Sequence, residues 1–251
     1  MGCRLVALGS QDDSLRLVGA IEAAASPQLG NDAGTVAGVG EIGLPITQEI
    51  PANTNILIDF SNPAGAEAAI RSASEMKIAL VMATTGLSEQ QQAAIRDASK
   101  LIPVVWSPSM SLAVNLTMKL TEIAARALKD HPSGADVEII ERHHRFKEDS
   151  PSGTALKFGQ IVAAEMGQQN HQHGREGICG ARPHGEIGYH AVRTGDNPGE
   201  HTIVFGLLGE TLELRVAASN RDCYASGALA AAKWLAHKPA GLYNMYDVLG
   251  F

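Results

Sequence analysis

The sequence predicts an α/β chain in two parts: a parallel-sheet domain of nucleotide-binding type, then an α+β domain built on an open sheet. Three observations carry this. Short apolar runs alternate with helical patterns through the first half. After Trp106 the order changes to longer helices and clustered strands. An alanine-rich helix then closes the chain. Strand–helix alternation points to a parallel sheet, because parallel neighbours need a crossover connection.

Leu15–Ile21 reads as a strand ending at Glu22. Ile56–Phe60 reads as a second strand, and Ile78–Met82 and Ile102–Trp106 as two more buried strands, each bounded by polar or turn residues. Between them Ala66–Glu75 and Ser88–Ser99 are helical, and Ser88 and Gln91 stand at capping-box spacing. A helix over Ala113–Lys129 is followed by a strand at Val137–Glu141, a polar segment, and a helix from Thr154 to Met166. The strands Ile187–Arg193, Thr202–Leu208 and Thr211–Ala217 lie close together, with Gly209-Glu210 as a tight hairpin turn between the last two. Ala225–Leu235 is the closing helix.

Composition narrows the function classes. With 251 residues the chain has room for two moderate domains, and 45% hydrophobic against 19% charged is ordinary for a globular protein. Aromatics make up only 4%, so the core is expected to be aliphatic and alanine-rich. The net charge of −7 and the lack of a basic tract argue against a nucleic-acid partner. No stretch approaches the roughly 18 apolar residues of a membrane span, and Asp12 and Asp13 interrupt any signal-like run. Cys3, Cys179 and Cys223 are odd in number and far apart, which fits a reducing, cytoplasmic compartment rather than a disulfide framework.

Chemistry concentrates in Glu141–Ala155, which reads ERHHRFKEDSPSGTA. His143 and His144 carry side chains whose charge can change near neutral pH, so either could move a proton. Lys147 adds a donor and a positive charge. Backbone N–H groups at Ser152–Thr154, at the start of a helix, make a natural carboxylate site. The set suits a small anionic substrate that is protonated during reaction. On spacing alone the same stretch also reads as a solvated polar loop. His171, His173, Cys179 and His184 offer zinc-type ligands, at spacings that match no common structural zinc pattern, so no metal is expected.

The segment Glu141-Arg142-His143-His144, Lys147 and Asp149-Ser150-Pro151-Ser152-Gly153-Thr154-Ala155 resembles the signature of the 4-hydroxy-tetrahydrodipicolinate reductase family. The resemblance runs along almost the whole chain. It includes Ile58-Asp59-Phe60-Ser61 with Pro63, Thr84-Thr85-Gly86, Ser111 and Asn115. Further on it takes in Arg175-Glu176-Gly177 with Gly180 and Arg182, and Arg193-Thr194-Gly195-Asp196 with Gly199-Glu200-His201. It ends at Ser219, Arg221 and Gly227.

The resemblance implies reduction of a cyclic dicarboxylate by NADH or NADPH, with loss of water, in lysine and diaminopimelate biosynthesis. It implies that His143 donates and accepts the proton, that Lys147 is a proton donor beside it, and that His144, Gly153 and Thr154 hold the substrate carboxylates. Cofactor contacts are implied at Glu22, on the ribose hydroxyls, and at the turns Ala83-Thr84-Thr85 and Ser107-Pro108-Ser109-Met110. A Rossmann-like dinucleotide-binding domain is expected over 1–111 and 224–251. A substrate-binding and oligomerisation domain is expected over 112–223, joining copies into a homotetramer through its open sheet.

Three departures qualify these expectations. Ala23 follows Glu22 where NADPH-competent members often carry an arginine, so NADH is favoured over NADPH. Ala83 and Ser107–Met110 replace commoner residues of the family turns, a change that costs little if the contacts are through the backbone. The family also opens with a strand and a turn of the form G-x-x-G-R-M-G, and Met1-Gly2 resembles the last two residues of that turn. The first strand and most of the glycine-rich loop are thus expected to be missing, which puts cofactor binding at stake. Two rivals follow. One is a different dehydrogenase of the same architecture, which does not explain Glu141–Ala155. The other is a non-catalytic ligand-binding relic.

Overall fold

Asn62 and Ser88 each sit where a helix must begin, and each side chain accepts a hydrogen bond from the first turn. From such signals the chain builds, in order, α1 (Gly2–Gly9), β1 (Ala20–Ile21), α2 (Ala33–Ala37), β2 (Ile46–Thr47), β3 (Ile56–Asp59), α3 (Pro63–Met76), β4 (Ala79–Met82), α4 (Glu89–Ala98) and β5 (Pro103–Trp106). Then come α5 (Leu112–Leu128), β6 (Asp136–His143), α6 (Gly153–Met166), β7 (Asn170–His173), β8 (Glu186–Arg193), β9 (Glu200–Leu207) and β10 (Glu210–Ala217). The chain ends with α7 (Asp222–Leu235), β11 (Gly241–Tyr243) and α8 (Met245–Leu249). The computed structural model describes residues 1–251 and divides them into two units: Met1–Leu112 with Arg221–Phe251, and Ala113–Asn220.

The first unit is organised by a four-stranded parallel sheet in the order β11-β5-β4-β3. Successive residues of a strand point to opposite faces, and both faces of this sheet are covered. Leu80 and Met82 pack with Ile70, Ala73, Ile95 and Val104 on the side of α3 and α4. Ala79 and Val81 pack on the other side with Val105, Ala228, Ala231, Ala232 and Leu235, the last four from α7. This two-sided burial is why the strands read as unbroken apolar runs. The expected capping box is present, with Gln91 N–H on Ser88 Oγ at 3.3 Å and Ser88 N–H on Gln91 Oε1 at 3.0 Å.

The strand expected over Leu15–Ile21 shrinks to Ala20–Ile21. Its one partner is the two-residue β2, and this small parallel pair is separate from the four-stranded sheet. Leu15–Gly19 has no neighbouring ladder to join. Gly19 instead lies against Pro51, whose ring a Cβ would approach to 2.8 Å.

The second unit carries a five-stranded mixed sheet in the order β10-β9-β6-β8-β7. The central strand β6 runs antiparallel to β9 and parallel to β8. It alternates strictly: Val137, Ile139, Glu141 and His143 are buried, while Asp136, Ile140 and Arg142 are exposed. Phe158 and Val162 of α6 are fully buried, and Gly159 lets Tyr189 of β8 approach so closely that a Cβ would fall 1.7 Å from its hydroxyl. The hairpin turn is shifted by one residue from the expected place. Leu207 pairs with Glu210, so Leu208-Gly209 form the loop, and Gly209 supplies the left-handed position at φ 94°.

On the other face of this sheet Glu138 gathers a network. Arg175 grips it with two N–H donors at 2.7 and 3.1 Å, Arg182 Nε donates at 2.9 Å, and His190 Nε2 lies at 2.7 Å. Burial pushes the Glu138 carboxyl up, but the donors from Arg175, Arg182 and His190 outweigh it and hold the group at about 2. Its folded value is therefore below its ordinary 4.5, so its stabilisation is complete above that pH and is lost as pH falls towards 2. Thermal melts should accordingly show Glu138→Gln less stable than wild type at pH 6, with the gap closing progressively as acid is added.

Candidate active site

Alternation along β6 places Glu141 and His143 on the same buried face, two residues apart. Parallel pairing with β8 sets Arg193 beside His143 in register. The Arg193 fork turns back to Glu141, with Nη1 donating to Oε2 at 2.8 Å and Nη2 to Oε1 at 2.7 Å. Ser152 N–H donates to Glu141 Oε1 at 3.1 Å, and His143 Nδ1 lies 2.5 Å from Oε2. The Glu141 side chain is fully buried, so these four donors are its whole environment. Burial pushes its carboxyl up, and the donors from Arg193, His143 and Ser152 overcome this and leave it below the ordinary range.

Two loops flank this centre. Lys147 is half-buried and donates from Nζ to Asp149 Oδ1 at 2.7 Å, and Arg193 Nη2 donates to the Asp149 carbonyl at 2.7 Å. Ser152 caps α6, its Oγ accepting from Ala155 N–H at 3.2 Å. Gly153 is exposed with open space where a Cβ would be, and Thr154 is half-buried beside it. The first amides of a helix have no acceptor within it, so this turn can receive an anion. His144 donates its backbone N–H to Asn197 O at 2.8 Å, and its buried Nδ1 has no partner within the protein.

His143 is itself buried. Burial lowers its affinity for a proton, Glu141 works against that, and Lys147 and Arg193 add to it, leaving the ring below its ordinary value. His201 of β9 meets it edge-on at 5.2 Å, and burial, followed by His143, pushes His201 down to about 4. Gly199 lies against the other ring nitrogen, since a Cβ there would fall 2.9 Å from His143 Nε2. The structure therefore brings His143, Lys147, Gly153 and Thr154 together around Glu141. Glu141, Arg193, Gly199 and His201 carry no assigned role on sequence grounds.

Two of the possible zinc ligands are otherwise engaged. His171 Nδ1 lies 2.8 Å from the Tyr189 hydroxyl and His173 stacks on the same ring at 5.0 Å. No three His, Cys, Asp or Glu side chains gather as a metal site.

In the first unit the expected cofactor residues stand at the carboxyl ends of parallel strands. Ala83 and Thr84 are buried after β4, and Thr84 Oγ1 donates to Asp59 Oδ2 at 2.6 Å; Thr85 is exposed. After β5, Ser107 is buried and accepts from Met245 N–H at 2.9 Å, Pro108 is exposed, Ser109 is half-buried and Met110 is buried. α7 crosses Met110 so closely that a Cβ on Gly227 would fall 1.8 Å from its carbonyl oxygen. Glu22 follows β1, exposed, and accepts from Ala23 N–H at 3.1 Å. The crevice outside the carboxyl ends of an open parallel sheet is where such folds take nucleotides, and a free acid beyond a strand end suits ribose hydroxyls. These residues fit a nicotinamide dinucleotide.

Comparison with known proteins agrees over both units. Residues 1–110 match the family model for the N-terminus of dihydrodipicolinate reductase, and residues 113–249 match that for its C-terminus. The chain belongs to the dihydrodipicolinate reductase family. The 4-hydroxy-tetrahydrodipicolinate reductase of Rhodopirellula baltica is 58% identical over all of this chain and 92% of its own length. That of Alkalilimnicola ehrlichii is 43% identical over all of this chain and 95% of its own. Among solved structures, a dipicolinate-bound dihydrodipicolinate reductase from Paenisporosarcina sp. TG-14 superposes with a TM-score of 0.75. It is 21% identical over 96% of this chain and 92% of its own, a likeness of fold. The dihydrodipicolinate reductase fold accounts for a parallel sheet in one unit and a mixed open sheet in the other. No helix is long and apolar enough to cross a membrane.

Proposed function

We infer that this chain reduces 4-hydroxy-tetrahydrodipicolinate to tetrahydrodipicolinate with NAD(P)H, the reaction after which its relatives are named, in lysine and diaminopimelate biosynthesis. The observation that carries the reading is the buried Glu141–His143 pair, set beside Lys147 and the open first turn of α6. In this reading His143 donates and accepts the proton, and Lys147 is the proton donor beside it. His144, Gly153 and Thr154 hold the two carboxylates, for which the unpartnered His144 Nδ1 and the α6 amides are suited donors. A bound nicotinamide supplies a hydride. Hydride delivery to a conjugated ring leaves an electron pair on a neighbouring atom, and a proton must meet it. Burial holds His143 to a weak grip on its proton, which favours giving it up.

On the cofactor side, the reading assigns the ribose to Glu22 and the remaining contacts to the turns Ala83-Thr84-Thr85 and Ser107-Pro108-Ser109-Met110. NADH is preferred, because a 2′-phosphate beside Glu22 would meet a carboxylate with Ala23 where a cation is needed. Ala23→Arg should raise kcat/KM for NADPH relative to NADH about tenfold, the worth of one good charge-assisted contact. We also propose the open face of the second sheet, where Ile140 and Val192 are exposed, as the surface joining copies into a homotetramer.

The deciding experiment follows NADH and NADPH oxidation by the chain, with substrate generated in place from pyruvate and aspartate semialdehyde by the preceding synthase. Turnover is the expected result. A folded chain that oxidises neither nucleotide would overturn the assignment in favour of a ligand-binding relic.

A further inference from the structure

We propose that Glu141 is a positioning residue: held by Arg193, it fixes the His143 ring with Nδ1–H towards the carboxylate and Nε2 free to exchange a proton with the substrate. The inference rests on the reading of His143 as the proton-transfer residue.

The geometry supports it in three ways. Glu141 is a fully buried carboxylate, and a buried charge persists only when its lone pairs are met. Four donors meet it: Arg193 Nη1 and Nη2, Ser152 N–H and His143 Nδ1. An acceptor-only group at 2.5 Å obliges Nδ1 to carry the hydrogen, so the neutral ring presents its lone pair at Nε2.

The second nitrogen lies against Gly199, where any side chain would press on the ring. Gly199 has φ 149°, and a Cβ in its place would fall 2.9 Å from Nε2. Glycine here serves both the backbone angle and the close approach to the ring, which a side chain would displace.

The same carboxylate also ties three elements of the site together. Through Ser152 it holds the start of α6, whose first turn the proposed function assigns to a substrate carboxylate. Through Arg193 and the Asp149 carbonyl it holds the loop that carries Lys147. Through Nδ1 it holds His143. One buried anion thus sets the proton-transfer residue, its cationic neighbour and the anion-binding turn in register.

The charged and titratable groups around His143 are Glu141 on its own strand, Lys147 and Asp149 in the following loop, Arg193 on β8 and His201 on β9. Glu141 favours the imidazolium, while Lys147 and Arg193 oppose it. Removing Glu141 and removing Arg193 should therefore move the ring in opposite directions. Glu141→Gln removes the attraction and sets an amide NH₂ against N–H donors, so the ring should change tautomer and titrate lower by about one pH unit or more. Arg193→Gln removes a repulsive cation and leaves the carboxylate to His143 and the Ser152 amide, so the ring should titrate higher.

The experiment is ring ¹H–¹⁵N NMR of His143 across pH in wild type and both variants, with pH–rate profiles and thermal melts alongside. Expected are Nδ1–H in neutral wild type, opposite displacements in the two variants, and kcat at pH 7 lowered at least about tenfold in Glu141→Gln with little change in cofactor KM. Displacements of the same sign, or none, in natively folded variants would overturn the proposal. Should Glu141→Gln fail to fold, the Arg193→Gln titration decides alone: a rise supports, no change or a fall refutes. A His143→Ala protein that keeps its turnover would instead remove the underlying reading, while leaving the NMR result intact.

Discussion

Replacing His143 with alanine should lower kcat by about 10²- to 10⁴-fold, the usual worth of a positioned proton donor, while the protein stays folded. Folding is expected to survive because Glu141 keeps its two bonds to Arg193 and its bond to Ser152 when the ring is gone. Lys147→Ala should give a loss of similar order. The ion pair it removes, to an exposed Asp149, is worth about 1 kcal/mol or less in stability. A large kinetic loss with an unchanged melt is therefore the signature to look for. Retained turnover in the His143 variant, under the assay with synthase-generated substrate, would displace the proton chemistry from this residue.

The second large effect is expected far from His143 in sequence. Gly227→Ala should cost about 3 kcal/mol, a fall in Tm of roughly 6–12 °C for a chain of this size. A Cβ at 227 would fall 1.8 Å from the Met110 carbonyl oxygen and 2.9 Å from its carbon, both backbone atoms that cannot rotate away. Either α7 or the Ser107–Met110 turn must move by more than an ångström. As that turn is assigned to the nicotinamide, KM for the cofactor should rise along with the loss of stability. Gly206→Ala is the control. Its Cβ would meet nothing nearer than 3.9 Å, and the melt should be nearly unchanged.

These two residues also show what sequence can and cannot convey. β3, β4 and β5 were legible because burial on both faces leaves an unbroken apolar run. α4 was legible because its cap is local, Ser88 and Gln91 answering each other across three residues. β7 was not, since Asn170–His173 is wholly exposed and polar and is held by its backbone ladder to β8. Nor were α1, α2, β11 and α8, which are too short or too weakly patterned for periodicity to register. The Leu15–Ile21 run looked like a strand, but a strand needs a neighbour of equal length and here the neighbour is two residues. In the candidate site His143, Lys147, Gly153 and Thr154 lie within one short stretch and could be read together. The hold of Arg193 on Glu141 spans 52 residues and arises from the parallel register of β6 and β8. No local spacing encodes that.

The first unit is made of two separate lengths of chain, and this bears on how the protein is born. Synthesis runs from the N-terminus, and emerging domains fold as units. Everything Ala113–Asn220 needs for its sheet lies in one unbroken length of chain, made before α7. The sheet of the first unit is by then three strands wide, with the face around Val81 and Val105 bare of Ala228, Ala231, Ala232 and Leu235. The edge of β5 also waits for β11. The first unit therefore closes last, its apolar face and the edge of β5 open to chaperones until α7 and β11 have been made and released.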